Sequence, residues 1–253
     1  MDEKRFKEAF DALSFSPDFQ ARTEALLRER AAGKENTVTF KRSKRTILAT
    51  AACLAALAVS VSAAVYWLTP SQAARELFDE PGVAEAFDRR DDEGGAAAQT
   101  ARIGDYEVIF DGVVSGKHLS ERVPEIDGEV HDERSYAVFA VSGGKVAELN
   151  ETNNATLTSL GLSITPLVKD HAPWEVNAWT LGGGYTSSGT GDTAYFLFDT
   201  DSLEQFAGEE IYYAAFACEG MGVPSTAEFS MAEDGTITLN DGVDGALFTV
   251  EQP

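Results

Sequence analysis

Apolar positions along the chain follow three different rules. In the first 33 residues they fall at helical spacing. Phe6, Phe10 and Leu13 recur at i, i+4 and i+7, which sets them on one helix face. Ser16-Pro17-Asp18 then reads as an N-cap, a first-turn proline and an acid near the positive end of a second helix. That helix carries Phe19, Thr23, Leu26 and Leu27 on one side and stops near Gly33. From 46 to 68 charge disappears. From Asp105 onward the period shortens to that of strands. The strand candidates are 106–114, 135–141, 155–164, 175–181, 193–198, 210–217, 227–231, 236–239 and 246–250. Most are bounded by Gly, Asp, Asn or Pro. Ala194-Tyr-Phe-Leu-Phe198 and Ile211-Tyr-Tyr-Ala-Ala-Phe216 are continuous apolar runs, which predicts strands flanked on both sides.

The uncharged stretch divides the chain. Residues 47–68 number 22, and at the rise of an α-helix they reach about 33 Å, enough for a hydrocarbon core of about 30 Å. Lys41-Arg-Ser-Lys-Arg45 precedes the stretch, and Tyr66 and Trp67 close it, where amphipathic rings favour the headgroup region. The pattern predicts a transmembrane helix at 46–68 in the cell membrane, with the N-terminus cytoplasmic and the rest extracytoplasmic. Two rivals are a buried soluble helix and a cleaved signal. Eight alanines make the span only moderately apolar, and Val61-Ser-Ala63 has the small residues of a cleavage site. A signal, however, begins close to its apolar region, whereas 45 residues precede this one.

Between the span and the strands, Thr69-Pro70 starts a helix with Ala73, Leu77 and Phe78 as its apolar positions, and Pro81-Gly82 breaks it. Asp91-Asp-Glu-Gly-Gly95 reads as a hinge. The predicted organisation is therefore a cytoplasmic helical head (1–45), a transmembrane helix (46–68), a helical stalk and linker (69–100), and an extracytoplasmic domain (101–253). The fold class is mainly β, and the outer domain is sandwich-like.

Charge sharpens this division. Residues 1–45 hold 11 Lys+Arg against 8 Asp+Glu; the rest holds 9 against 34, and the whole chain carries −22. So acidic an outer domain excludes nucleic acid bound through phosphate contacts and repels anionic polymers. The two cysteines, Cys53 and Cys218, fall on opposite sides of the span boundary and predict no internal disulfide.

No Gly-x-Ser-x-Gly elbow, His-Glu-x-x-His helix or phosphate loop is present, so the sequence predicts neither catalytic residues nor a cofactor. His118, His131 and His171 are far apart, and no metal site is expected of them. Asp199-Thr-Asp201 and Asp241-Gly-Val-Asp244 lack the ligand alternation of a calcium loop and read as turn-forming acids. Asn150-Glu-Thr and Asn154-Ala-Thr match the glycosylation pattern. Trp174, Trp179 and Tyr185 surround Gly182-Gly-Gly184; they form either a sugar- or peptide-binding face or part of the core.

The most distinctive stretches are Pro173-Trp-Glu-Val-Asn-Ala-Trp-Thr-Leu-Gly-Gly-Gly-Tyr185, Met231-Ala-Glu-Asp-Gly-Thr236 and Asp244-Gly-Ala-Leu-Phe248. With the order of parts, they make the chain resemble a family of single-pass membrane proteins of Clostridia-like Gram-positive bacteria that look like membrane-bound anti-sigma factors. The resemblance implies a regulator whose head binds a cytoplasmic sigma factor while the outer domain senses the envelope. The residues that would form the partner face are Phe6, Phe10, Leu13, Phe19, Leu26 and Leu27, too many for so short a segment to bury alone. The alternative is an anchored binding or adhesion module whose only other partner is the lipid bilayer.

Overall fold

The computed structural model describes residues 67–250, except 127, 153–154 and 220–221. The head lies outside the described residues, as does the span up to Tyr66. Among the described residues no helix is long and apolar enough to cross a membrane. They are mainly β, with antiparallel sheets.

Two helices come first. In α1 (Pro70–Glu76), Thr69 and Gln72 form a reciprocal cap: the Gln72 amide donates to Thr69 Oγ1 (3.2 Å) and the Thr69 amide to Gln72 Oε1 (3.0 Å). Pro81 does not merely break this helix. It occupies the first turn of α2 (Pro81–Asp92), which takes in the first two acids of the run expected to be a hinge and is capped by Glu93.

Nor do these helices stand off as a stalk. Ala73, Ala74, Phe78, Val83, Ala84 and Phe87 pack against Val114, Tyr136, Val138, Ala140, Tyr195 and Leu197 in one buried cluster. Trp67, expected at the headgroups, packs against the same cluster, and the Leu68 amide donates to the Tyr195 hydroxyl at 3.0 Å. The last two residues of the predicted span thus belong to the folded domain, and neither is helical.

The larger sheet has the order β1 (Gln99–Ile103), β2 (Tyr106–Lys117), β5 (Glu133–Gly143), β8 (Thr193–Asp201) and β7 (Gly184–Thr190). The smaller one runs β12 (Gly245–Val250), β9 (Ile211–Ala217), β6 (Leu162–Val168). The apolar runs read as flanked strands are β8 and β9, and each has a neighbour on both sides. Two short hairpins complete the β structure: β3 (Glu125–Ile126) with β4 (Glu129–Val130), and β10 (Phe229–Met231) with β11 (Ile237–Leu239). Both main sheets feed one core. Phe110 and Phe139 of the larger sheet meet Tyr213 and Phe248 of the smaller at centroid separations of 5.5–6.0 Å.

Two strand predictions are corrected. The candidate at 155–164 begins instead as α4 (Leu157–Leu160), capped by Thr156 and Ser159; Gly161, in the left-handed region at φ 70°, ends it before β6. α3 (Val146–Thr152) precedes it. The candidate at 175–181 is a run of turns, described below.

The helices are fastened to β2 at a bulge. Register shifts between Phe110 and Val113, and Gly112 takes φ 107°. Arg90 of α2 lies against Gly112 and donates to the carbonyls of Asp111 (2.8 Å) and Ala96 (3.0 Å). Burial of the Asp111 carboxyl outweighs the nearby Arg90 charge and pushes its pKa from 3.8 up to about 6. The folded state therefore holds this proton more tightly than the unfolded one. The stability that this supplies is complete below pH about 4 and is lost as pH rises through about 6. Asp111→Asn should flatten that slope and stabilise the domain near pH 7 by about 1–2 kcal/mol, read from urea midpoints at several pH values.

Candidate functional site

The three histidines do not converge. His118 pairs with Asp132 (3.2 Å), His131 with Asp201 (3.0 Å) and His171 with Glu209 (3.0 Å). Among the described residues no group of three or more His, Cys, Asp or Glu is placed to hold a metal. Asn150 is occupied internally: its amide donates to the carbonyls of Gly191 (3.1 Å) and Thr193 (2.9 Å) and accepts from the Ala155 amide (3.2 Å). A glycan there would cost those bonds.

Asp199 and Asp201 are more than turn acids. They hold Arg134, at the start of β5, which is only 1% exposed. Its guanidinium donates to Asp201 Oδ1 (2.9 Å), Asp199 Oδ2 (2.5 Å) and the Gly182 carbonyl (2.9 Å). Such a charge is tolerated inside a protein only when paired, and the planar fork suits two carboxylates. The third bond binds the glycine turn to the sheet. The Asp201 amide, donating to Leu181 O at 2.9 Å, ties the same turn a second time.

The segment 172–183 is built on Asn177, which is 1% exposed. Its side-chain oxygen accepts from the amides of Trp179 (2.9 Å) and Thr180 (3.2 Å), and its nitrogen donates to Pro173 O (2.9 Å). Thr165 of β6 accepts from the Ala178 amide at 2.8 Å. These side chains take the backbone partners that a strand would need, so turns replace it. A Cβ at Gly183 would lie 2.6 Å from Ala178 O, so this close approach requires glycine.

So firmly held a loop nevertheless turns its aromatics outward. Trp174 is 42% exposed, Trp179 53% and Tyr185 38%. For Trp174 and Trp179 the core reading is overturned; Tyr185, in β7, is partly exposed but faces the core side. Tyr185 still stacks at its base on Phe196 and Phe198, with centroids at 5.8 and 5.4 Å.

Trp179 and Tyr185 flank a cleft of about 260 Å³. Its position follows from topology: β6 and β7 are each the last strand of their sheet. Leu157, Leu162, Ile164 and Phe198 supply apolar lining, and Thr158 and Ser163 supply hydroxyls. No Asp, Glu, Lys, Arg or His is among the residues that line it. In a chain of net charge −22 that is unusual ground. A concave, mostly apolar site with a few polar groups suits ligand binding.

No protein-family model matches the chain, and neither does any curated protein or solved structure. The six residues expected to bind a cytoplasmic partner, Phe6, Phe10, Leu13, Phe19, Leu26 and Leu27, lie outside the described residues. Sequence reading reached Trp179 and Tyr185 but missed Arg134, Asn177 and Thr165, which position them. The available signal was an arginine at the head of an otherwise apolar strand, Arg134-Ser-Tyr-Ala-Val-Phe139.

Proposed function

We propose that this chain is a single-pass membrane protein whose outer, sandwich-like β domain binds a ligand at the Trp179–Tyr185 cleft. One observation carries the reading: a loop locked by Asn177 and Arg134 holds large aromatic side chains in solvent beside an uncharged cleft. Folding alone gives no reason to expose them, and rigid exposed aromatics are characteristic of recognition surfaces.

What the head does separates two versions. In the first, it holds a cytoplasmic sigma factor through the stripe from Phe6 to Leu27, and ligand outside alters that hold through the span. In the second, the head and span are an anchor. The first is favoured by the junction. Trp67 packs against the domain and the Leu68 amide bonds to the Tyr195 hydroxyl. A passive anchor needs no such fastening.

Placement is tested by labelling in a chain with Cys53 and Cys218 replaced by serine. A thiol reagent that cannot cross membranes should modify Ser187→Cys in intact cells and leave Ser14→Cys untouched. Labelling of Ser14→Cys alone would reverse the orientation and remove the proposal.

A further inference from the structure

We infer that the free edge of β7 is a docking strand: an extended polypeptide segment adds to the five-stranded sheet there and places a large apolar side chain in the cleft. This rests on the reading of the cleft as a ligand site and names its ligand.

Sheet edges expose unpaired backbone groups, and proteins normally guard them with charges, prolines, bulges or covering segments. Three of the four outer strands of the two main sheets are guarded. Between β1 and β12, Gln99 exchanges two hydrogen bonds with the backbone of Thr249 (2.6 and 3.0 Å). β6 contains Pro166, and flanking loops fasten to it: Thr165 holds the Ala178 amide, and Ser163 donates to Gly222 O at 2.8 Å. β7 has none of these devices. Gly184-Tyr-Thr-Ser-Ser-Gly-Thr190 contains no charge and no proline. Its register with β8 runs without a bulge from Gly184↔Asp199 to Thr190↔Thr193. Among the described residues it pairs with no other strand. Asn150 lies against Gly189, and among the described residues 184–188 have β8 as their one strand partner. An unguarded edge of that length is a template for strand addition.

The pleat agrees with the cleft. Tyr185 stands opposite Phe198 and its ring meets Phe196 and Phe198, so it points to the core side. A residue beside Tyr185 in an added strand would point the same way, over the floor made by Leu162, Ile164 and Phe198. The opening of about 260 Å³ exceeds the roughly 150 Å³ that houses a benzene ring, so a leucine or phenylalanine side chain fits. Charge selects further. Asp192 lies in the β7–β8 turn, α3 with Glu148 and Glu151 reaches that turn through Asn150, and the whole chain is strongly acidic. An acidic peptide, or a second copy of this chain, is repelled; a neutral or basic segment is not.

The test uses the full chain in detergent micelles and capped seven-residue peptides of sequence Lys-Thr-Val-X-Val-Thr-Lys, with X as Phe, Leu, Ala or Asp. Two further Phe peptides carry N-methyl groups on one or the other alternate set of amides. Calorimetry should show binding for Phe and Leu, and at least about tenfold weaker binding for Ala and Asp. One of the two N-methylated peptides should lose binding, and Ser187→Lys should weaken the Phe peptide about tenfold or more. No binding at about 1 mM for any X would overturn the proposal, as would indifference to both methylation patterns. A chain dimer dissociated by Ser187→Lys would seat a second copy at this edge and also overturn it. If only a neutral oligosaccharide such as cellohexaose quenches tryptophan emission, and Trp179→Phe removes that quenching, strand addition falls while the cleft stands as a ligand site. Binding of neither would remove both.

Discussion

Replacing Arg134 by methionine is expected to destabilise the β domain by about 3 kcal/mol and to loosen the loop that carries Trp179. Methionine keeps most of the volume of the side-chain stem, so the loss is mainly electrostatic. Asp199 and Asp201 would lose their common cation, and Gly182 O would lose its donor. Removing one partner of a buried ion pair costs about 3–5 kcal/mol. The side chains of Asp199 and Asp201 are 33% and 29% exposed, so water recovers part of that, and the lower end applies. Urea unfolding measures the loss, and faster quenching of tryptophan emission by acrylamide reports the loop. A loss under about 1 kcal/mol with unchanged quenching would show that Arg134 does not hold the turn in place.

Removing residues 1–99 is expected to prevent cooperative folding, although the strand pattern alone suggests that residues 100–253 form an independent domain. The reason is the outer face of the larger sheet. Val114, Tyr136, Val138, Tyr195 and Leu197 are buried there by Phe78, Val83, Phe87 and their neighbours from α1 and α2. Each large apolar side chain contributes about 1.5–3 kcal/mol when buried, and half a dozen of them equal the whole stability of an ordinary domain, about 5–15 kcal/mol. A fragment beginning at Trp67 should show a sharp thermal transition, and one beginning at Thr100 a broad one with exposed apolar surface. Equal melting temperatures would show that the helices are dispensable.

The sequence disclosed the strands whose apolar runs are buried on both faces, β5, β8 and β9, because burial leaves no room for polar residues there. It did not disclose β1 and β7. Gln99-Thr-Ala-Arg-Ile103 and Gly184-Tyr-Thr-Ser-Ser-Gly-Thr190 lie at an edge and carry little apolar periodicity. The false strand at 175–181 has a comparable cause. Val176, Ala178 and Thr180 alternate with other residues as in a strand, yet the Asn177 side chain captures the local amides first. Helices α1 and α2 pack on the sheet where a stalk is expected, because helical periodicity reveals an apolar face without revealing what covers it. For the site, the aromatics were visible in the sequence, but their exposure depends on Arg134, Asn177 and Thr165, brought together from three separate segments.

The most direct test of the central claim, that the Trp179–Tyr185 cleft is a ligand site at the cell surface, is hydroxyl-radical footprinting. Oxidation of Trp179 is compared between intact cells bearing the chain and the same chain purified in detergent. Met231, 40% exposed on β10, serves as the reference. Trp179 should oxidise several times more slowly on cells, with Met231 unchanged. Equal rates at Trp179 in both settings would mean that nothing occupies the cleft and would contradict the account.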